Sequence, residues 1–229
     1  MSKYFMYGTE LQELEHMMML VPNFMPRRSG VIIVKKLQNK NESIRCIDCN
    51  YFIRSQCSKN ICSCFAERFE AGMICYETIV KNCYKEFKSY RFKRRLTRLV
   101  RNFDGDIFIN PIHHFRFYKV CRIQNVSMKN RNHSYLAVLF LLTSDDRLWD
   151  LAKGHTYLDC FDFKSMNLNG INTDGYALYQ TARTILLGKE YIRVNEIADK
   201  DLIGEDVFKA IINAILISKY GADMFQVNC

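Results

Sequence analysis

Tyr135-Leu136-Ala137-Val138-Leu139-Phe140-Leu141-Leu142 is apolar or aromatic at every position. Eight residues fall far short of the roughly 20 that a membrane span requires. A segment apolar on all faces in an otherwise polar chain belongs in the middle of a core, so the stretch reads as a buried helix. Val207 to Tyr220 carries Phe208, Ile211, Ile212, Ile215 and Leu216, is apolar on most faces and stops at Gly221. It reads as the central core helix of the back half. Between the two, Ser144 is placed to cap a helix with Leu148, Trp149 and Leu151. Thr173 or Asp174 opens another through Tyr176, Leu178, Tyr179, Ala182 and Ile185, and Gly188 ends it. Residues 154–172 show little pattern and read as loop. Tyr191 to Val194 suggests a short strand, followed by a turn from Asn195 to Ala198.

Working towards the N-terminus, Tyr76, Ile79, Val80, Cys83, Tyr84 and Phe87 recur at helical spacing, and the stripe resumes at Phe92, Leu96, Leu99 and Phe103. The spacing leaves open whether one helix or two fill residues 76–102. Asp104-Gly105-Asp106 reads as a turn. Ile107-Phe108-Ile109 and Phe115 to Val120 read as strands split by Asn110-Pro111. Glu10 to Leu20 has helical spacing and ends before Pro22 and Pro26, while Val31-Ile32-Ile33-Val34 is a β-branched run. A turn at Gln38 to Ser43 and a return segment at Ile44-Arg45 complete a hairpin leading into Cys46. Ser63 is positioned to cap a short helix through Glu70, closed by Gly72. The expected fold is α+β and mainly helical. It has an N-terminal β-hairpin and zinc-knuckle region within residues 1–133 and a compact helical domain over residues 134–229.

Five cysteines occupy nineteen residues as Cys46-x2-Cys49-x7-Cys57-x4-Cys62-x1-Cys64. Lys3 alone does not make a basic leader, so no export signal is expected and the ten cysteines read as reduced thiols in a cytoplasm. Thiolates clustered in that setting suit a tetrahedral zinc ion. Cys46, Cys49 and Cys57 are the first three ligands, with Cys62 preferred over Cys64 as the fourth. An iron–sulfur cluster uses the same ligands, and small buried hydrophobes are the bland alternative. Cys75, Cys83, Cys121, Cys160 and Cys229 stand alone and read as packing residues.

Charge is distributed unevenly. Residues 1–133 hold 24 Lys/Arg against 11 Asp/Glu, and residues 134–229 hold 9 against 13. Most of the excess falls between Lys85 and Arg101, where Lys85, Lys88, Arg91, Lys93, Arg94, Arg95, Arg98 and Arg101 meet a single acid, Glu86. At 100° per residue, Arg91, Arg94, Arg95, Arg98 and Arg101 share one face and Phe92, Leu96 and Leu99 another. Such a ridge suits backbone phosphates through counterion release. Lys88 adds charge, and Tyr90 offers a ring on which an unpaired base can stack. An acidic protein groove, an anionic membrane or a solvated helix face fits the same pattern.

Catalytic motifs are scarce. There is no GxxxxGK, no HExxH and no nucleophile elbow. His113-His114 reads as structural, and His16, His133 and His155 lack companions at ligand spacing. Asp162-Phe163-Lys164, with Asp146 or Asp150 upstream, loosely fits the carboxylate and lysine set of metal-dependent nucleases, a short pattern that chance supplies often.

Several segments resemble cysteine-containing proteins encoded by phages and conjugative elements of Gram-positive anaerobes. They are Ile61-Cys62-Ser63-Cys64-Phe65 with Glu67-Arg68 and Glu70-Ala71-Gly72, and Leu139-Phe140-Leu141-Leu142-Thr143 before Trp149. The others are Gly170-Ile171 with Tyr176-Ala177-Leu178-Tyr179, and Ala198-Asp199 with Ala214-Ile215-Leu216-Ile217 and Tyr220-Gly221. That group has no assigned activity, so the resemblance carries no site residues. It implies a setting: a mobile element in a bacterial cytoplasm, where proteins of this size regulate the element or inhibit host defence. The expected function is a non-enzymatic, zinc-stabilised nucleic-acid-binding accessory protein with no membrane partner. The rival is a host-defence inhibitor, of the anti-CRISPR kind, that binds a nucleic-acid-handling complex. A metal-dependent nuclease comes third.

Overall fold

The computed structural model describes residues 74–126, 132–158 and 160–227, together with Glu13, Leu14, Met17 and Leu20. Eight α-helices follow one another in these residues: α1 Tyr76–Cys83, α2 Tyr90–Arg101, α3 Pro111–Ile123, α4 His133–Thr143, α5 Asp146–Ala152, α6 Thr173–Leu187, α7 Val194–Ile197 and α8 Glu205–Tyr220. The described protein is mainly helical and, among the described residues, has no strand beyond a single antiparallel bridge between Thr156 and Phe161. The hairpin, the strand at Val31–Val34, the cysteine cluster and the helix after Ser63 lie outside the described residues. Of the expected Glu10–Leu20 helix, Glu13, Leu14, Met17 and Leu20 are described; the first three are helical and Leu20 lies in a turn.

The quoted stretch forms the centre of α4, and every residue from Tyr135 to Thr143 is buried. α4 packs against both α6 and α8, which also pack against each other. These three helices form the inner layer. Each fully buried Leu, Ile or Phe contributes about 1.5–3 kcal/mol, and α4 and α8 are supplied with them on nearly every face. Three threonines inside this layer bond to the backbone of their own helix. The hydroxyls of Thr143, Thr181 and Thr184 each donate to a carbonyl four residues earlier, at 2.8 Å in all three cases. Gly188 ends α6 with φ of +64°, as expected. At Gly221 the C-terminus of α8 passes the ring of His133, and a Cβ there would lie 2.4 Å from Nε2.

α1, α2 and α3 cover this layer. The Tyr76 hydroxyl donates to Asn213 Oδ1 of α8 at 2.6 Å, and Asn213 Nδ2 donates to the Ile107 carbonyl at 2.8 Å. Tyr84 donates to the Ile212 carbonyl, and Phe92 meets Phe208 edge-on with centroids 5.8 Å apart. Described residues on both sides of position 133 therefore share one apolar core.

Residues 76–102 form two helices. The chain leaves α1 at Tyr84, and Ser89 caps α2 by accepting from the Phe92 N–H. α5 begins one residue later than Ser144 implied, because the Asp145 carboxylate accepts from Leu148 N–H at 2.7 Å. The two strands expected around Asn110-Pro111 are absent. Asn110 is an N-cap whose side chain accepts from His113 N–H at 2.8 Å, and Pro111 occupies the first turn of α3. Proline is favoured there because the N–H it lacks would have no helical partner. Phe117, Val120 and Cys121 then face inward at a spacing of three and one. Nor does Tyr191–Val194 form a strand. The Glu196 carboxylate accepts from Arg193 N–H at 2.7 Å and closes the first turn of α7.

Candidate nucleic-acid interface

α2 is twelve residues long, about 18 Å. Its inner arc is Phe92, Arg95 and Leu96, flanked by half-buried Leu99 and Val100. The rest of its circumference is Arg91, Arg98, Arg94, Arg101, Tyr90, Thr97 and Lys93, all exposed. Five of those seven side chains are cations. Lys88, Arg91, Lys93, Arg94 and Arg101 enter no ion pair among the described residues. Arg98 donates to Glu205 at 3.4 Å and is partly neutralised. The Tyr90 ring, 76% exposed, stands in the middle of the cationic arc.

Arg95 does not belong to that surface, which corrects the grouping read from the sequence. It lies about 40° around the axis from Arg91 but only about 60° from Phe92, on the shoulder between the two faces. There it turns inward and is 6% exposed. Nη1 donates to the carbonyls of Ile197 at 3.0 Å and Asp199 at 3.4 Å, and Nη2 donates to Gly204 at 3.0 Å. The guanidinium carbon sits 4.1 Å above the Phe208 ring, and Glu205 approaches Nη2 at 3.6 Å. Burial pulls its proton affinity down, and the Glu205 carboxylate opposes that shift. The Gly204 N–H in turn donates to Asp174 at 2.9 Å. One arginine thus ties α2 to the end of α7, the start of α8 and, through Gly204, the first turn of α6.

A groove of about 410 Å³ runs between α1 and α2 beside the cationic arc. Val80, Tyr84, Leu96 and Val100 supply its apolar lining, and Lys81, Lys93, Thr97 and Arg101 stand at its rim with Glu77. Glu77 is ion-paired with Lys81. Lys93, Thr97 and Arg101 belong to both the groove and the outer arc, so the two are continuous. The sequence reading missed the groove. Its trace was Val100, an apolar residue beside Lys93 on the helical wheel and outside the stripe assigned to the core.

The remaining candidates are placed as follows. Cys46, Cys49, Cys57, Cys62 and Cys64 lie outside the described residues. Cys83 and Cys121 are buried as expected, and burial raises their thiols to about 12 and about 11. Cys75 and Cys160 are exposed rather than packed. His113 is fully buried; Nε2 faces the Phe140 carbonyl at 2.9 Å and Nδ1 accepts from Ile109 N–H at 3.4 Å. Burial lowers its pKa to about 3, so it is neutral and structural. Asp162 accepts from the Ser165 hydroxyl at 2.6 Å and closes a local turn, Asp150 pairs with Lys153, and Asp146 pairs with Arg116. Each carboxylate of the nuclease-like pattern is thus engaged locally. Among the described residues no cluster of three or more His, Cys, Asp or Glu is arranged to hold a metal, and no helix is long and apolar enough to cross a membrane.

No protein-family model, curated protein or solved structure matches this chain.

Proposed function

We propose that the protein is a non-enzymatic nucleic-acid-binding accessory protein of a mobile genetic element, which lays the outer arc of α2 along a phosphate backbone. The carrying observation is the arc itself: Arg91, Lys93, Arg94, Arg98 and Arg101 point to solvent along one helix whose opposite face is anchored in the core. Arginine's planar fork suits phosphate oxygens, and a helix fixed at its base presents that fork without the cost of ordering the backbone. Zinc held by Cys46, Cys49, Cys57 and either Cys62 or Cys64, after a β-hairpin that leads into Cys46, is part of the same reading and rests on sequence pattern alone.

The test is a mobility shift with RNA and DNA across a salt series. Binding is expected to weaken steeply with salt, and Arg91→Glu/Arg94→Glu is expected to flatten the slope by about 0.7–0.9 for each lost phosphate contact. Arg95 is left intact because its substitution would test the fold instead. Unchanged affinity and slope in the double variant would remove α2 from the interface.

A second reading has its own observation. α3 exposes Ile112, Phe115 and Ile123, at 59%, 66% and 72%, on one face with Lys119 and Arg122. An apolar row rimmed by cations favours a protein partner, as a defence inhibitor that occludes a nucleic-acid-handling complex would require. Such a protein would co-purify with its target and bind bare nucleic acid weakly.

A further inference from the structure

We infer that the groove between α1 and α2 receives an unstacked base, so that the preferred ligand is single-stranded nucleic acid rather than a duplex. The inference rests on the proposed phosphate-binding role of α2 and adds the class of ligand. A duplex offers α2 only its backbone and groove edges, and an outer arc of cations would serve that purpose without any cavity. Here the cationic arc is continuous with a recess. Lys93, Thr97 and Arg101 form one edge of the groove and one edge of the arc. A strand following the arginines therefore passes directly over an apolar opening.

The chemistry of the recess suits a base. Half-buried Val100 supplies accessible aliphatic surface over a floor of the buried side chains of Val80, Leu96 and Tyr84, whose hydroxyl is committed to the Ile212 carbonyl. Its volume of about 410 Å³ lies within the range of small-molecule pockets. The rim is positive: Lys81, Lys93 and Arg101 surround a single carboxylate, Glu77, which Lys81 already neutralises. A phosphate on either side of an inserted base would meet a cation. Tyr90 lies on the same arc, towards the N-terminus of α2, with its ring open to solvent. It offers a stacking surface for a neighbouring base. Apolar recess, cationic rim and exposed aromatic ring together form the usual apparatus for single strands. An acidic peptide would be served by the charges and the recess but has no need of the exposed ring.

The test compares three probes of equal length at one salt concentration: a single-stranded oligonucleotide, its duplex, and an abasic strand that keeps the phosphates and lacks the bases. The intact single strand is expected to bind about tenfold or more tightly than the abasic strand, in line with the stacking contribution of a base on an aromatic or apolar surface. Thr97→Leu/Val100→Leu fills the mouth of the groove with aliphatic carbon at two residues that are not fully buried. It should bring the affinity of the intact strand down to that of the abasic strand measured on the same variant. Tyr90→Ala should remove part of that advantage. Unfolding midpoints measured alongside separate a blocked groove from a damaged fold. Should the filled variant unfold early, Tyr90→Ala and the abasic comparison in the native chain still decide the matter.

Equal affinity for intact and abasic strands would overturn the base-binding groove and leave the phosphate-binding face standing. Retention of the preference in the filled variant would do the same. Failure to bind any of the three probes would overturn both readings. If an acidic, leucine-bearing helical peptide were then captured, the groove would pass to a protein partner.

Discussion

The inner and outer sides of α2 carry the same residue type to opposite ends. Arg94 and Arg95 are adjacent, equally charged and equally long. Arg94 stands in solvent with no ion pair among the described residues, whereas Arg95 has three backbone carbonyls and an aromatic ring around its guanidinium. A 100° step separates a solvent-facing group from a fold-holding one. The difference comes from what the rest of the chain places opposite each position. The carbonyls of Ile197, Asp199 and Gly204 converge opposite Arg95, although those of Asp199 and Gly204 also accept backbone N–H groups. Only a side chain with several rigidly arranged N–H groups can serve three acceptors at once. Positive charge on a helix is thus no measure of what that helix binds.

The largest contrast should appear in stability. Arg95→Ala removes three hydrogen bonds to backbone carbonyls, two of which keep a backbone donor, and leaves a void over Phe208; it is expected to cost about 3 kcal/mol. Arg94→Ala should change stability by less than about 0.5 kcal/mol while weakening nucleic-acid binding. Urea unfolding of both variants checks the pair. Arg95→Lys sharpens it, because a single ammonium cannot reach all three carbonyls and should recover only part of the loss. Equal costs at the two positions would break the distinction.

A second, smaller effect concerns the inner layer and acid. His113 has a folded pKa of about 3, against roughly 6.5 in an unfolded chain. Below pH 6.5 the unfolded chain takes up a proton that the folded protein refuses, so stability is complete above pH 6.5 and falls as the pH drops towards 3. Arg116, His114 and Lys209 all add to the refusal, after burial itself. The expected loss between pH 7 and pH 5 is about 2 kcal/mol. His113→Gln should flatten that part of the profile while lowering the plateau. Arg94 enters no ion pair among the described residues, and Arg94→Ala should leave the profile's shape unchanged.

How much of this was legible depends on how many partners a residue needs. The apolar runs at Tyr135–Leu142 and Val207–Tyr220 specify burial by themselves, and both became core helices. Gly188 and Gly221 end their helices for reasons local to the backbone. Asn110-Pro111 carried a helix-start signal that the surrounding β-branched and aromatic residues obscured: Phe115 and Ile123 are exposed and Phe117 is buried, a helical alternation that resembles a strand over a few residues. Arg95 could not be separated from Arg94, because its partners are backbone atoms of residues 197, 199 and 204, which no side-chain pattern announces. The groove was equally hidden, since it belongs to two helices whose relative placement is set by Tyr76, Tyr84 and Phe92 against α8. The cationic character of the arc was plain from composition.

The smallest predicted effect isolates one hydroxyl. Tyr76 donates to Asn213, which donates onward to the Ile107 carbonyl, and the Tyr76 ring stacks on Phe103 with centroids 3.8 Å apart. Tyr76→Phe keeps the ring and its stacking and removes only the donor, so the Asn213 carbonyl oxygen is left without its partner in a site closed to water. The cost should be about 1–2 kcal/mol. Tyr90→Phe makes the same chemical change on the outer arc, where water replaces any bond the hydroxyl loses, and its cost should be indistinguishable from zero. Thermal or urea unfolding of the two variants reads the difference directly. If Tyr76→Phe proved as silent as Tyr90→Phe, the Tyr76–Asn213 link would not help hold α1 against α8, and the wall of the groove would depend on the Tyr84–Ile212 hydrogen bond and apolar packing.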